Sequence, residues 1–150
     1  MTLGAHDGLR VVAVASAADE AAVRGFGADV FVPRGADWAE AVLAAVPGGV
    51  DGAVDAALIG GPILPVVRDG GRISVVRAFA GQPERGIEVT HVSVREYLRA
   101  QSKLAELGSL VESGRLELRV AQTFPPERAA EAYEALAAGG VRGRLVLTFA

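Results

Sequence analysis

The chain has 150 residues, a formal net charge of −3 at pH 7 and no cysteine. This length is typical of one domain that buries a core without disulfides or metals, and the missing thiols exclude thiolate catalysis and sulfur-ligated zinc. The basic residues are scattered, and no apolar run approaches the roughly 20 residues of a membrane span. We therefore expect a cytoplasmic protein that binds neither nucleic acid nor a membrane.

Two strand–helix units are predicted in the first third of the chain. Residues 9–15 form a near-continuous apolar run, which is typical of a buried parallel strand, and Ser16 is placed to cap the helix that follows. A second strand is predicted over 30–33. Asp37 and Glu40 then have the spacing of a capping box at the start of a second helix.

The middle of the chain repeats this pattern. A strand over 52–55 is followed by the Gly60-Gly61-Pro62 break, an apolar helical turn over 63–67 and a further strand over 71–77. Near-continuous apolar strands that are joined through helices belong to parallel sheets, because both sheet faces are covered.

The last part adds an edge strand and two more helices. Residues 87–94 alternate apolar and polar side chains, which indicates a strand with one wet face at the edge of the sheet. An amphipathic helix follows over 97–111, a strand over 116–120, a helix that Pro125 opens, and a last strand over 144–149. The sequence therefore predicts one α/β domain over residues 1–150.

A series of short motifs extends over almost the whole chain. They are Ser16 with Phe26-Gly27-Ala28-Asp29, Val50-Asp51-Gly52-Ala53-Val54-Asp55, Arg68-Asp69-Gly70-Gly71-Arg72, Ser113-Gly114-Arg115-Leu116, Thr123-Phe124-Pro125 with Ala129-Ala130-Glu131-Ala132-Tyr133, and Val141-Arg142-Gly143-Arg144-Leu145-Val146-Leu147. In this order and spacing they resemble the C-terminal half of the medium-chain dehydrogenase/reductases, in particular the zinc-independent quinone oxidoreductase type. The resemblance implies a Rossmann-like parallel sheet, an NADPH or NADH cofactor, no metal, and a homodimer through the strand Ile87–Val94.

By this resemblance, the first Rossmann strand and the glycine-rich turn that follows it are missing. Gly25 and Gly27 follow a helix rather than a strand, and Gly60-Gly61 has the wrong spacing for a pyrophosphate-binding turn. Residues 9–15 then correspond to the second strand of the family, and residues 1–8 to the tail of the preceding helix. The missing strand is a central one in the family. If its neighbours close the gap, the remaining strands, numbered in chain order, lie in the order 2-1-3-4-5. The first strand then pairs directly with the strand at Ala53, unless another chain fills the space.

The resemblance also implies a cofactor site at the strand ends. Ser16 matches a position near the adenosine ribose and Arg34 one that could pair with a phosphate, whereas Asp19 stands where the family often places a lysine for the 2′-phosphate, which argues against NADP. The candidate cofactor-binding residues are Ser16, Arg34, Asp55, Ala56, Leu58, Val76, Arg77 and Arg144. Simpler interpretations remain: Ser16 as a helix cap, Asp55 as a turn residue, and both arginines as surface charges.

No catalytic residue can be named from the sequence. His91 lies on the polar face of the predicted edge strand, and without a cysteine or a ligand spacing neither a catalytic triad nor a zinc site is indicated. Three functions stay open. The first is a quinone or enone reductase that is incomplete without a partner or a further N-terminal half; the others are a non-redox or cyclase-like relative that binds a small molecule in the strand-end crevice, and a structural dimerisation module.

Overall fold

A computed structural model describes residues 1–149, without the side chain of Glu96. The helices are α1 (Thr2–His6), α2 (Glu20–Gly25), α3 (Trp38–Ala45), α4 (Gln101–Glu112) and α5 (Ala129–Ala138). The strands are β1 (Val12–Ala15), β2 (Val30–Pro33), β3 (Val50–Asp55), β4 (Val67–Val75), β5 (Glu88–His91), β6 (Val120–Phe124) and β7 (Arg144–Leu147). None of the helices in this part of the chain has both the length and the apolar character that crossing a membrane requires.

The chain separates into two compact units, Met1–Ala105 and a second unit that starts at Glu106. The first unit contains a two-stranded sheet, β1-β2, and a three-stranded sheet, β3-β4-β5, and the second unit contains the pair β6-β7. Every one of these pairings is parallel. The predicted α/β class with parallel strands is therefore confirmed. The single domain over 1–150 stays a prediction, and its last residue lies outside the described part.

The predicted direct pairing of the first strand with the strand at Ala53 is wrong. Among the described residues, β1 is hydrogen-bonded only to β2, and β3 only to β4. Apolar side chains of both sheets pack on one core cluster, with Val12 and Val14 contributed by β1 and Val50 and Ala53 by β3. The two sheets therefore share a core without sharing a ladder.

Two strands start later than predicted, each for a different reason. The N–H of Leu9 donates to the carbonyl oxygen of Gly4, and the N–H of Val11 donates to the carboxylate of Asp29. These bonds use the segment before Val12, which shortens the strand predicted over 9–15. The strand predicted over 116–120 lies at Val120–Phe124 instead, because its partner strand begins only at Arg144, opposite Val120.

The segment between β3 and β5 also differs in detail. The apolar turn predicted over 63–67 is a 3-10 helix, Gly61–Val66, and β4 begins directly after it. The strand predicted over 87–94 is confined to Glu88–His91, and within the described chain it pairs with β4 alone, as expected for an edge. Neither Ser16 nor Asp37 makes the predicted side-chain capping bond.

The core of the first unit is centred on β4. The side chains of Val67 and Ile73 are fully buried, and they pack with buried residues of β2, α3, the 3-10 helix and the segment that leads into β5. That cluster consists of Val32, Val42, Ile63, Val66, Val67, Ile73, Val75 and Ile87. Full burial of one such side chain contributes about 1.5–3 kcal/mol, so this cluster is the main source of stability in the unit.

We expect Ile73→Ala to lower the free energy of unfolding of the first unit by about 2–5 kcal/mol, because the substitution removes buried methylenes and leaves a cavity. Val54→Ala is the matched control. Val54 lies in the adjacent strand β3, next to Ala53, the residue paired with Ile73, and it is 73% exposed. Urea denaturation monitored by circular dichroism measures both values. Equal losses in the two variants would contradict a core centred on β4.

Candidate functional site

The carboxyl ends of three strands in the first unit open on one cleft. Its volume is about 260 Å³, and it is lined by Val14, Arg34, Gly35, Trp38, Ala57 and Ile59. Val14 lies near the end of β1, Arg34 and Gly35 follow β2, and Ala57 and Ile59 follow β3. The carboxyl ends of strands are the usual ligand side of open α/β sheets, so this cleft is the candidate functional site.

Arg34 and Trp38 give the cleft its chemical character. The backbone N–H of Arg34 donates to the carbonyl oxygen of Ala15 at 2.7 Å, which anchors the end of β2 to the end of β1. The side chain is exposed and belongs to none of the ion pairs among the described residues. Trp38 is the first residue of α3 and is half-buried against the core. A guanidinium, an aromatic ring and apolar walls together suit a flat heteroaromatic group that carries a phosphate.

Asp55 ends β3 with a buried carboxylate that organises the following loop. Its side chain accepts hydrogen bonds from the backbone N–H groups of Ala57 at 3.1 Å, Ile59 at 3.0 Å and Gly60 at 2.8 Å. The residue is 4% exposed. Loop N–H groups thus surround the carboxylate, which favours the turn interpretation of this residue; a direct contact with cofactor stays a prediction.

The same bonds determine the ionisation of Asp55. Burial alone would raise the pKa of this carboxyl group, but the N–H donors of Gly60, Ile59, Ala57 and Leu58 stabilise the charged form and hold the pKa below its usual value. The carboxylate is therefore charged at neutral pH and compensated by the backbone. The carboxylate therefore holds the loop after β3 in place through the N–H groups of that loop.

The loops after β3 and β4 meet through glycines. Gly61 donates its N–H to the carbonyl oxygen of Ala80 at 2.7 Å, and a β-carbon at Gly60 would lie only 2.9 Å from that oxygen. Gly60 also has a φ of +68°, and a β-carbon at Gly81 would lie 2.9 Å from the α-carbon of Gly61. The backbones approach this closely only because none of the three residues carries a side chain.

The other predicted site residues do not line the cleft. Ser16 follows β1, and Ala56 and Leu58 alternate with two residues of the cleft wall; Leu58 is exposed and has a left-handed φ of +60°. Val76 and Arg77 follow β4 and are exposed. Arg144 begins β7 of the second unit, where its N–H donates to the carbonyl oxygen of Arg119. Of the eight candidates, only Arg34 lines the cleft.

Sequence reasoning missed the other five residues of the lining, which are Val14, Gly35, Trp38, Ala57 and Ile59. Trp38 packs on the core and also faces the cleft. Their position in the sequence could have identified three of them, because Gly35, Ala57 and Ile59 follow the ends of predicted strands within a few residues. Ligands of open α/β sheets bind at such strand ends.

Residues 26–147 match the family model described as zinc-binding dehydrogenase. The chain belongs to this family. The predicted resemblance to the C-terminal half of a medium-chain dehydrogenase/reductase is thereby confirmed. Among curated proteins, no sequence matches the chain.

Solved structures share the fold of this zinc-binding dehydrogenase family member. A probable oxidoreductase from Mycobacterium abscessus is 27% identical with a TM-score of 0.78, and the alignment covers 98% of this chain and 49% of that one. An NAD-dependent alcohol dehydrogenase (23% identity, TM-score 0.81, 99% and 46% covered) and a 2-haloacrylate reductase (24%, 0.80, 99% and 53%) support the fold alone. The chain thus spans about half the length of these proteins.

The residues of this family member do not fit the zinc ion of the family name. The chain has no cysteine and only two histidines. In the described part of the chain, no three His, Asp or Glu side chains come together in a metal-binding group. We therefore derive no catalytic step through zinc for this half of the fold.

We expect Asp55→Asn to lower the free energy of unfolding at pH 7 by about 1–3 kcal/mol, because an amide NH₂ cannot accept the N–H bonds that one carboxylate oxygen accepts. The folded-state pKa is lowered, so the stabilisation is complete above the unfolded value of about 3.9 and is lost as the pH falls through the folded value. The difference between the two proteins should therefore shrink below about pH 4.

Urea denaturation between pH 3 and pH 7 tests this prediction. Asp51→Asn is the control, because Asp51 lies on the same strand with an 89% exposed side chain and forms a surface ion pair with Arg68, which is worth less than about 1 kcal/mol. A loss in Asp55→Asn that does not change with pH would contradict the role given to the carboxylate.

Proposed function

We propose that the chain is the cofactor-binding half of an NADPH- or NADH-dependent reductase that transfers hydride to a conjugated carbonyl compound of the quinone or enone type. The observation that carries this proposal is the cleft at three parallel strand ends, lined by Arg34 and Trp38, in a chain of an oxidoreductase family. The choice of quinones and enones follows from the motif resemblance. A cytoplasmic location stays a prediction from the sequence.

The size of the cleft indicates which part of the cofactor it would hold. Its 260 Å³ is below the range of about 300–1,000 Å³ that is usual for complete small-molecule sites, so one end of a dinucleotide fits better than the whole. We assign the adenosine end to it, with Trp38 and Ile59 against the base and Arg34 on a phosphate. An arginine side chain beside apolar walls suits a phosphate next to an aromatic base, which supports this assignment.

The remaining half of the enzyme would supply the other parts of the site. No glycine-rich turn joins a strand to a helix in this sequence, so the pyrophosphate seat and the substrate pocket would come from residues outside it. Val76 and Arg77, at the carboxyl end of β4, are the residues of this chain that we place towards the nicotinamide. We propose that Asp55 keeps the wall formed by Ala57 and Ile59 rigid while cofactor enters.

The chemistry itself would belong to the cofactor. When bound, a reduced nicotinamide would supply hydride to the conjugated system of the substrate, and water or an acid would supply the accompanying proton. The part of this chain is to bind and orient: apolar residues exclude water from the adenosine end, and Arg34 balances phosphate charge. No residue of the chain is assigned to the proton transfer.

A second candidate is a non-redox protein that binds a smaller ligand, or that acts like a cyclase on it, in the same cleft. The cleft volume and the missing glycine-rich turn favour it, because neither feature requires a dinucleotide. Tight binding of a compound other than a nucleotide, with no binding of NADPH or NADH, would select this function.

We also propose that two copies associate through β5. This strand is the outer strand of its sheet, and Val92 and Val94 just beyond it are exposed. An edge strand leaves a row of backbone donors and acceptors that a second copy can pair with. If no small molecule binds, this association would make the chain a structural dimerisation module.

Cofactor binding tests the main proposal. Isothermal titration should give a dissociation constant in the micromolar range for NADPH or NADH, and Arg34→Ala should weaken it about tenfold, because a charge-assisted hydrogen bond is worth about 1.5–3 kcal/mol. The control is Arg99→Ala, an exposed arginine outside the cleft lining. A loss confined to NADPH would place Arg34 at the 2′-phosphate, despite Asp19. No heat with either cofactor would refute the proposal.

Solution mass tests the association through β5. Light scattering after size exclusion should give the mass of two chains, and Val92→Lys should give that of one, because two lysines would meet across the paired edges. Leu118→Lys, an equally charged change at an exposed leucine, should leave the dimer intact. A dimer that survives Val92→Lys uses another surface.

A further inference from the structure

The connection from β4 to β5 contains no helix. Residues 76–87 lead from the end of β4 to the start of β5, and none of them belongs to a helix or a strand. Parallel strands need a crossover of about a dozen residues or more, and an α-helix usually forms it. A helix holds itself together through internal hydrogen bonds, whereas this segment, which we call the crossover loop, depends on contacts with other elements. The residues that anchor the loop therefore set its position.

Arg85 anchors the crossover loop to two other elements. Its guanidinium donates to the carboxylate of Asp69 in β4 at 2.8 Å and to the carbonyl oxygen of Leu64 in the 3-10 helix at 2.6 Å. Its own carbonyl oxygen accepts a hydrogen bond from the N–H of Gly70 at 2.9 Å. The planar guanidinium suits two acceptors at fixed positions, so one residue joins the loop to β4 and to the 3-10 helix together.

The backbone of Arg85 lies in the left-handed region, with a φ of +55°. A residue with a side chain adopts this conformation at a cost, which persists where the surrounding contacts determine the structure strongly enough. Glycine would adopt the same φ more cheaply, but it could make only the bond of its carbonyl oxygen. The two bonds of the guanidinium therefore account for an arginine at this position.

The crossover loop contacts the 3-10 helix near both ends of that helix. At one end Gly61 donates its N–H to the carbonyl oxygen of Ala80, and near the other end Leu64 accepts from Arg85. The helix includes two prolines, which have no N–H, so it forms few hydrogen bonds of its own. The contacts with the loop thus hold the 3-10 helix and the loop together as one body.

This body connects two segments that face the proposed ligand. The 3-10 helix follows the loop that Asp55 organises, and that loop carries the cleft wall formed by Ala57 and Ile59. The crossover loop begins with Val76 and Arg77. A shift of the crossover loop against the 3-10 helix would therefore change the distance between the cleft and the residues that follow β4.

We propose that Arg85 is a positioning residue that fixes the distance between the cleft and the pair Val76 and Arg77, and so adapts the chain to a ligand that reaches both. The inference rests on the proposed function, which assigns these two places to the two ends of a dinucleotide. Arg85 does not line the cleft, so it acts through the crossover loop and the 3-10 helix. Holding both places at the right distance in advance lowers the ordering cost of binding a two-ended ligand.

Amide hydrogen exchange of the full chain, measured by nuclear magnetic resonance without a ligand, tests the anchoring. The variant is Arg85→Gly, because glycine adopts the left-handed φ readily and removes only the guanidinium. The N–H groups of Gly61, Gly70 and Ile87 each donate to a carbonyl oxygen of the crossover loop. We expect these three amides to exchange at least about tenfold faster in the variant, since loss of a charge-assisted hydrogen bond favours local opening.

Titration calorimetry with AMP and with NADH separates positioning from a general loss of stability. Under the proposed function AMP occupies the cleft alone, whereas NADH extends from the cleft to Val76 and Arg77. Arg85→Gly should therefore raise the dissociation constant of NADH about tenfold and that of AMP less than about twofold. A fold that is merely destabilised would lose affinity for both nucleotides to the same degree.

Two further variants make the test specific. Arg72→Ala is the control, because Arg72 forms an exposed ion pair with Glu88 across β4 and β5 and should change neither exchange nor binding. Arg85→Lys is used in case the glycine variant does not fold. It keeps the charge beside Asp69 but has no planar fork to reach both acceptors, so it should show the same changes to a smaller degree.

Each part of the test has a result that would overturn the proposal. Exchange rates in Arg85→Gly that equal those of the unaltered chain would show that other contacts hold the crossover loop. Equal weakening of AMP and NADH would leave Arg85 a stabilising residue without a positioning role. If the unaltered chain binds neither nucleotide, the proposed function fails together with the ligand-facing part of this inference, and the exchange rates still decide whether Arg85 anchors the loop.

Discussion

Three backbone N–H groups converge on the carboxylate of Asp55, and the geometry of the candidate site depends on this interaction. A buried charge without donors would be far too costly, and here the loop itself provides them. The bonds determine where Ala57 and Ile59 stand as one wall of the cleft. They also place Gly61 where it donates to Ala80, so the end of β3 sets the position of the loop after β4.

The sequence predicted the elements of the fold better than their ends. Apolar runs and glycine breaks identify parallel strands because burial on both faces leaves that pattern, and alternation identified β5 as an edge. The start of β6 could not be read in this way, since Leu116 and Leu118 continue the pattern and only the position of β7 decides where pairing begins. The cap predicted at Ser16 failed because capping depends on loop geometry, which the residue type does not fix.

Less of the site was predictable. Arg34 was identified through the motif resemblance, whereas Trp38 was not among the candidates and serves the core and the cleft together. Asp55 was selected as a cofactor-binding candidate, and the structure shows its carboxylate holding the following loop. Its role could not be derived from the sequence, because the donors lie on a loop whose path no periodic pattern describes. Within residues 1–149, β1 pairs only with β2 and β3 only with β4, which agrees with the first Rossmann strand being missing from the motif series. The core that β1 and β3 share is seen only in the folded chain.

The meeting of Gly60, Gly61 and Gly81 has a practical consequence for protein engineering. Backbone touches backbone at this junction, so any β-carbon introduced there would force the two loops apart. A library intended to alter ligand preference should leave these three codons fixed. Diversity is better placed at Leu58, Val76 and Arg77, whose exposed side chains can change size and polarity without disturbing the crossing.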